Sequence, residues 1–384
     1  MSAPVPVLRY PFNRACLPDA SRDYLLQAAA GVISGDGPFG KRCEAWLESA
    51  LGCPRALLTT SCTHALEMAA LLLGIGPGDE VILPSFTFVS AANAVVLRGA
   101  RPVFVDIRRD TLNLDERQIE QAITPRTRAI MVVHYAGVAC DMDAIGEIAA
   151  RHGLPVIEDN AHGLFGGWRG RPLGAFGALS TASFHETKNL TCGEGGALIV
   201  NDPALIERAE IIREKGTDRS RFFRGQVDKY SWVDAGSSYV ISDLLAAVLL
   251  GQLEEHERIQ TGRERIWQRY AAELAGWAEA QGVGLPVMPE GADPAWHQFY
   301  LIMPSLADRQ AFIAHLRQRG IMAVFHYLPL HLSIMGRNLG GAPGDCRVTE
   351  EMSDRLVRLP LYLDLEDVDL DAIIEVITDW RPTG

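Results

Sequence analysis

Between residues 59 and 200, short runs of consecutive apolar residues alternate with stretches whose apolar positions repeat at helical spacing. Residues 81–83 precede a helical pattern over 89–97. Residues 102–105 precede one over 115–122, and 129–133 precede one over 142–151, with 155–157 following. Uninterrupted apolar strands alternating with helices predict an α/β fold, a mostly parallel sheet covered on both faces. In such sheets ligands bind beyond the carboxyl ends of the strands. Asp106, His134 and Asp159 all stand at such ends, so the site is expected there.

The pattern changes after residue 242. A long helical stretch runs through Leu253 toward Leu274, and residues 282–294, rich in Gly and Pro, read as a connector. Beyond it come a strand over 299–303, a helix over 309–319, a strand over 321–327 and a last helix over 368–380. The chain is therefore expected to form a large unit (residues 1–250, with an N-terminal segment) and a smaller C-terminal α/β unit (251–384). A length of 384 residues suits such a pair.

Composition narrows the classes. With 48% hydrophobic and 22% charged residues the chain reads as ordinary globular protein. The longest apolar run, 244–250, is too short to span a bilayer. The first 23 residues carry Pro4, Pro6 and Pro11 but no apolar signal core. Seven scattered cysteines show no disulfide-like spacing, which with the missing signal points to a reducing cytoplasm. A net charge of −12 argues against nucleic acid as a partner. His326 and His331 lack a third ligand at suitable spacing, so no metal is expected. The glycines of 74–78 follow a helix and precede a strand, the wrong order for a dinucleotide loop, and read as a turn.

Against that background Lys188 stands out, because it follows the acidic strand end Glu158-Asp159. A lysine able to form a Schiff base and an aspartate able to hold a pyridinium nitrogen are what pyridoxal phosphate (PLP) asks of a protein. Either residue alone has a plain reading, a solvated loop cation or a helix cap. Residues 59–63, Thr-Thr-Ser-Cys-Thr, open a helical run and suit either a single N-cap or a phosphate cradle. One aromatic of Phe86-Thr87-Phe88 could stack on a flat ring, Phe88 being preferred, or both could be core. His162 could touch such a ring or simply pack. Cys192 has no base partner and is not read as a nucleophile. Arg219, Arg221, Arg224 and Lys229, interleaved with Phe222, Phe223, Tyr230 and Trp232, suit a nucleotide diphosphate, a solvated loop or a subunit contact equally.

Four runs carry a resemblance: His134 to Cys140, Phe184-His185-Glu186-Thr187-Lys188-Asn189, Phe222 to Tyr230, and Phe325 to His331. With the segments above they make nearly the whole chain similar to fold-type I PLP enzymes of the aspartate aminotransferase kind. Within these it resembles the DegT/DnrJ/EryC1/StrS sugar-nucleotide aminotransferases, and the runs look most like those of dTDP-4-amino-4,6-dideoxygalactose transaminases. The resemblance implies that Lys188 is joined to the cofactor, that Asp159 faces its ring nitrogen, and that His162 lies beside the ring. It places Cys62, Thr63 and Ser183 at the phosphate and Phe88 against the ring. It implies a homodimer with shared sites, in which Ser238, an asparagine in many relatives, completes the partner's phosphate site. Asn160 stands where relatives often have a small residue. Substrate contacts are expected from Arg219, Arg224, Tyr230, His326, Tyr327 and His331. The implied reaction moves an amino group from L-glutamate to C4 of a dTDP-4-keto-6-deoxyhexose. A dehydratase on the same scaffold would carry histidine in place of Lys188. A non-catalytic PLP- or nucleotide-binding protein is the reading from another class.

Overall fold

The computed structural model describes residues 8–382, so Pro4 and Pro6 lie outside the described residues. Seven strands form the central sheet: β1 (Arg55–Thr59), β2 (Glu80–Pro84), β3 (Arg101–Val105), β4 (Thr127–Val133), β5 (Val156–Asp159), and, later in the chain, β8 (Leu179–Ser183) and β9 (Gly196–Val200). Between β5 and β8 lie the two-residue strands β6 (Gly167–Trp168) and β7 (Arg171–Pro172). The order is β1-β9-β8-β5-β4-β2-β3. Strands β3, β2, β4, β5 and β8 run parallel, and β9 is antiparallel to both of its neighbours. The fold is thus α/β and mostly parallel, as the alternation predicts.

Strands β2, β5, β8 and β9 are buried along their whole length, which explains the uninterrupted apolar stretches Val81–Leu83 and Val156-Ile157 and the apolar or small residues of β8 and β9. One face packs on the helix Cys62–Leu72 through Leu66, Ala69, Met131, Ile157 and Leu198. The other packs on the helices Pro38–Leu51 and Asp243–Glu254 through Leu47, Ala197, Ile199 and Leu249. The turn at 74–78 joins the first of these helices to β2, with Gly74 and Gly78 at positive φ.

The long helical stretch after residue 242 is two helices, Asp243–Glu254 and His256–Gln281, meeting at Glu255. After Gln281 come β10 (Ala292–Asp293), which pairs with β6, then β11 (Tyr300–Ile302) and β12 (Leu356–Arg358), which pair with each other. The expected strand at 321–327 is only two isolated bridges, Ile321 to Tyr10 and Val324 to Arg358. Helices Leu306–Gln318 and Asp367–Asp379 close a separate apolar cluster with Phe299, Phe312, Ile373 and Trp380. Tyr10, from the N-terminal segment, belongs to this second cluster. All seven cysteines are free. Among the described residues no helix is long and apolar enough to cross a membrane.

Candidate active site

The carboxyl ends of β1, β2, β4, β5 and β8 share one edge of the sheet, and a cavity of about 690 Å³ opens there. Residues at or just past the strand ends build its wall: Ser61, Cys62 and Thr63 beyond β1, Thr87 and Phe88 beyond β2, Val133 of β4, Asp159 of β5, and Ser183 of β8. Segments from the C-terminal cluster cover it with His297, Gln298, His326, Tyr327 and Arg358.

Two of the three strand-end residues expected to converge do not reach the cavity. Asp106 accepts hydrogen bonds from the backbone N–H groups of Val348 and Thr349, both 2.8 Å, and so caps the helix Arg347–Arg355. His134 is fully buried, its Nε2 3.0 Å from Glu158. Glu158 also accepts from the backbone N–H groups of Gly174, Phe176 and Gly177 at 2.6–2.8 Å. Adjacent residues on a strand face opposite ways. Glu158 therefore locks the loop under the sheet edge, while Asp159, its neighbour, is left to face the cavity.

Lys188 sits on a loop closed at its neck. Phe184 N–H donates to Gly195 O at 2.9 Å, and Cys192 N–H donates back to Phe184 O at 3.0 Å. Lys188 is half-buried in the cavity wall. Burial, opposed by Cys62 and Asp159 and helped by Arg358, brings its ammonium down to about 8. Burial likewise raises the Asp159 carboxyl, against the backbone N–H of Ala161 and the Lys188 charge. An acid in this position calls for a cationic partner.

The helix Cys62–Leu72 starts at the cavity, and Ser61 Oγ caps it by accepting from His64 N–H at 3.1 Å. Its remaining free N–H groups and the Thr63 hydroxyl, 2.7 Å from Ser90 Oγ, form an anion-binding corner. Gly196 presses against this corner, because a Cβ there would overlap the backbone of Ser61 and Cys62. Phe88 is 57% exposed at the cavity mouth, whereas Phe86 is core. Asn160 anchors the loop beneath by donating to Leu173 O at 2.9 Å.

Three histidines crowd one wall. His162 stacks on His297 with ring centroids 4.3 Å apart, and His162 Nε2 lies 3.4 Å from the Tyr327 hydroxyl. His162 Nδ1 is buried without a protein partner. His326 Nδ1 lies 3.1 Å from the Tyr135 hydroxyl. Burial holds all three rings well below the usual histidine range, so they are neutral. His297 Nδ1 donates to Asn189 Oδ1 at 2.8 Å, and Asn189 in turn donates to Gln260 and Ala295 O. That links the residue beside Lys188 to the helix His256–Gln281.

Of the residues singled out from sequence, Cys62, Thr63, Phe88, Asp159, His162, Ser183, Lys188, His326 and Tyr327 meet in this cavity. His331 does not, and its expected substrate contact is corrected. It is 1% exposed, with Nδ1 2.6 Å from Ser85 Oγ and Nε2 3.0 Å from Glu350, tying an apolar turn to the end of β2. Arg219, Arg224, Tyr230 and Ser238 are also absent from the wall. Arg224 pairs with Glu210 at 2.7 Å. Burial lifts the Cys192 thiol to about 12, which suits packing and not nucleophilic attack. Sequence reasoning missed His297, Gln298 and Arg358; they lie more than a hundred residues from Lys188 with no local pattern to mark them.

The residues fit PLP: an amine at the cavity wall, a buried acid in need of a cation, an anion-binding helix start, an exposed aromatic, and an unpartnered histidine nitrogen. Residues 19–378 match the DegT/DnrJ/EryC1/StrS aminotransferase family. Among solved structures, Spr1654 of Streptococcus pneumoniae in its PMP form is 27% identical with a TM-score of 0.90, over 96% of this chain and 98% of that one. DesV of S. venezuelae is 33% identical with a TM-score of 0.87, over 97% and 99%. A DegT DnrJ EryC1 StrS aminotransferase of Brucella abortus is 33% identical with a TM-score of 0.86, over 94% and 95%. Spr1654 has also been solved in a PLP form. With these matches the chain belongs to the DegT/DnrJ/EryC1/StrS aminotransferase family, and it is a PLP-dependent aminotransferase of fold type I.

Proposed function

We propose that this chain moves an amino group from L-glutamate to the C4 keto group of a dTDP-4-keto-6-deoxyhexose, giving 2-oxoglutarate and dTDP-4-amino-4,6-dideoxygalactose. The observation that carries the chemistry is Lys188 and Asp159 facing one cavity at the sheet's carboxyl edge. The sugar substrate is supported by the resemblance of the four sequence runs, and Spr1654 carries the name of a sugar aminotransferase.

When bound, the cofactor supplies an electron-withdrawing ring that acidifies the carbon bearing the amine. Lys188 would hold the cofactor through its amine, and when released it would be the base at the donor α-carbon. The freed, neutral lysine then takes the proton from the donor α-carbon and delivers it to C4′. In the second half it takes a proton from C4′ and returns it to the sugar's C4. Asp159 keeps the ring nitrogen protonated. Cys62, Thr63 and Ser183 hold the phosphate, and Phe88 and His162 fix the ring plane. His326 and Tyr327 contact the sugar. The basic and aromatic segment with Arg219, Arg224 and Tyr230 lies outside its own chain's cavity, so we assign it to the nucleotide bound by the partner of a homodimer, with Ser238 completing the partner's phosphate site.

The test is incubation with PLP, L-glutamate and dTDP-4-keto-6-deoxyglucose, with the product assigned by NMR. An axial C4 amine is expected. Formation of 2-oxoglutarate without an aminated sugar would remove the substrate, and loss of a hydroxyl without gained nitrogen would indicate dehydration. Lys188→Ala is expected to lose roughly 10³-fold or more in turnover. Undiminished turnover would refute its role.

A further inference from the structure

The chain ahead of the first helix, residues 10–18, is fixed at its two ends to different parts of the molecule. Tyr10 N–H donates to Gly320 O at 2.9 Å, and Tyr10 O accepts from Met322 N–H at 2.9 Å, within the C-terminal cluster. Cys16 O accepts from the Gln252 side chain. The helix that follows, Asp19–Ala29, is tied to the helix Asp243–Glu254 by Ser21 Oγ, which donates to Val248 O at 2.8 Å. Between these anchors Phe12 and Asn13 line the cofactor cavity. The segment is therefore a strap from the C-terminal cluster to the large one, with its middle in the cavity wall.

Asn13 makes a bond that reaches far along the sequence. Its Nδ2 donates at 2.9 Å to Glu186 O, 173 positions on and two residues before Lys188. The far side of the lysine is well braced, because Asn189 is tied to Gln260, Ala295 O and His297. On the near side the bonds stay inside the loop. Lys188 N–H donates to His185 O at 2.9 Å, and Thr187 N–H donates to His185 Nδ1 at 3.3 Å. Glu186 and Thr187 are exposed. Among the described residues, Asn13 gives the only hydrogen bond that reaches residues 185–187 from outside the loop 183–195. An exposed turn held only by its own bonds opens easily. A base serves its carbon only from a fixed place, and a displacement of about 1 Å can cost roughly 10²-fold in rate.

We propose that Asn13 is a positioning residue for Lys188: by holding the Glu186 carbonyl it joins the N-terminal strap to the lysine loop and fixes where the amine stands in the cavity. This rests on Lys188 as the base of the aminotransfer proposed above, and not on the sugar. The experiment compares Asn13→Ala with Asn13→Leu, which keeps the branched bulk of the side chain but has no donor. Amide hydrogen exchange of the holoenzyme, with neither donor nor sugar present, is followed by mass spectrometry.

Exchange over residues 184–190 is expected to be roughly 3- to 10-fold faster in both variants, the size of one lost hydrogen bond, with the sheet strands unchanged. With L-glutamate alone, the saturating rate of the cofactor's absorbance change should fall by roughly 3- to 10-fold, while the half-saturating concentration stays within about twofold. Should Asn13→Ala fail to fold, Asn13→Leu carries the same comparison. Wild-type exchange over the loop would overturn the proposal. So would wild-type behaviour of Asn13→Leu, which would make the contact one of packing. A loss confined to the half-saturating concentration would overturn it as well. Because exchange is read without substrates, a wild type that rejected L-glutamate or the ketosugar would refute that assignment alone.

Discussion

Lys188 needs to be an ammonium's conjugate base to act, yet a free lysine at neutral pH is almost wholly charged. The cavity resolves this through burial, which brings its pKa to about 8, while Asp159 and Cys62 limit the fall. Protonated lysine is unreactive toward an aldehyde, so capture of PLP by the cofactor-free protein should speed up as pH rises through about 8 and level off above it. Stopped-flow measurement of that rate checks it; an inflection near the ordinary lysine value would mean that burial does not govern this amine. Asp159 and Lys188 were legible only together, as an acid at a strand end followed by a loop lysine within a run that resembles a known family. Arg358 was not. It sits in Leu-Val-Arg-Leu-Pro, which reads as a short strand with one charge, and only the pairing of β11 with β12 brings it to the cavity.

At the scale of elements, a strand end is a weak pointer by itself. Asp106, His134 and Asp159 occupy similar places on β3, β4 and β5, but helix capping takes the first and Glu158 takes the second. The alternation of strands with helices marked β2, β3, β4 and β5 and the parallel character of the sheet, but gave no separate signal for β1, β8 and β9. It could not reveal that β9 runs against its neighbours, because direction leaves no trace in an apolar run. That reversal matters: the start of β9 is thereby placed beside the end of β1, where Gly196 lies against Ser61 and Cys62. Gly196→Ala should force the strand and the helix start apart. We expect a loss of about 1–3 kcal/mol in stability by denaturant titration. Weaker PLP retention after gel filtration should accompany it. A variant as stable and as cofactor-retentive as the parent would show that the contact yields without cost. The predicted strand at 321–327 failed for a related reason: β-rich composition promises a strand only where a partner runs alongside, and here only two isolated bridges form.

For the whole molecule the segment 219–232 poses the question of what covers it. Trp232 is 79% and Phe223 70% exposed, beside Tyr230 and several arginines, and none of them lines the cavity of its own chain. Aromatic and basic side chains left in water on one loop are the composition of an interface. In the proposed homodimer this loop reaches the neighbour's nucleotide, and that arrangement makes a strong prediction for mixed dimers. Arg224→Glu should weaken sugar-nucleotide binding far more than the glutamate half-reaction. A Lys188→Ala chain and an Arg224→Glu chain, each nearly inactive alone, should then complement each other when co-expressed. In the mixed dimer one site has its own Lys188 and an intact Arg224 from across the interface, while the other site has neither. Random pairing should restore about a quarter of wild-type turnover. If Arg224 served the cavity of its own chain, every site in the mixture would lack one of the two residues, and mixing would restore nothing.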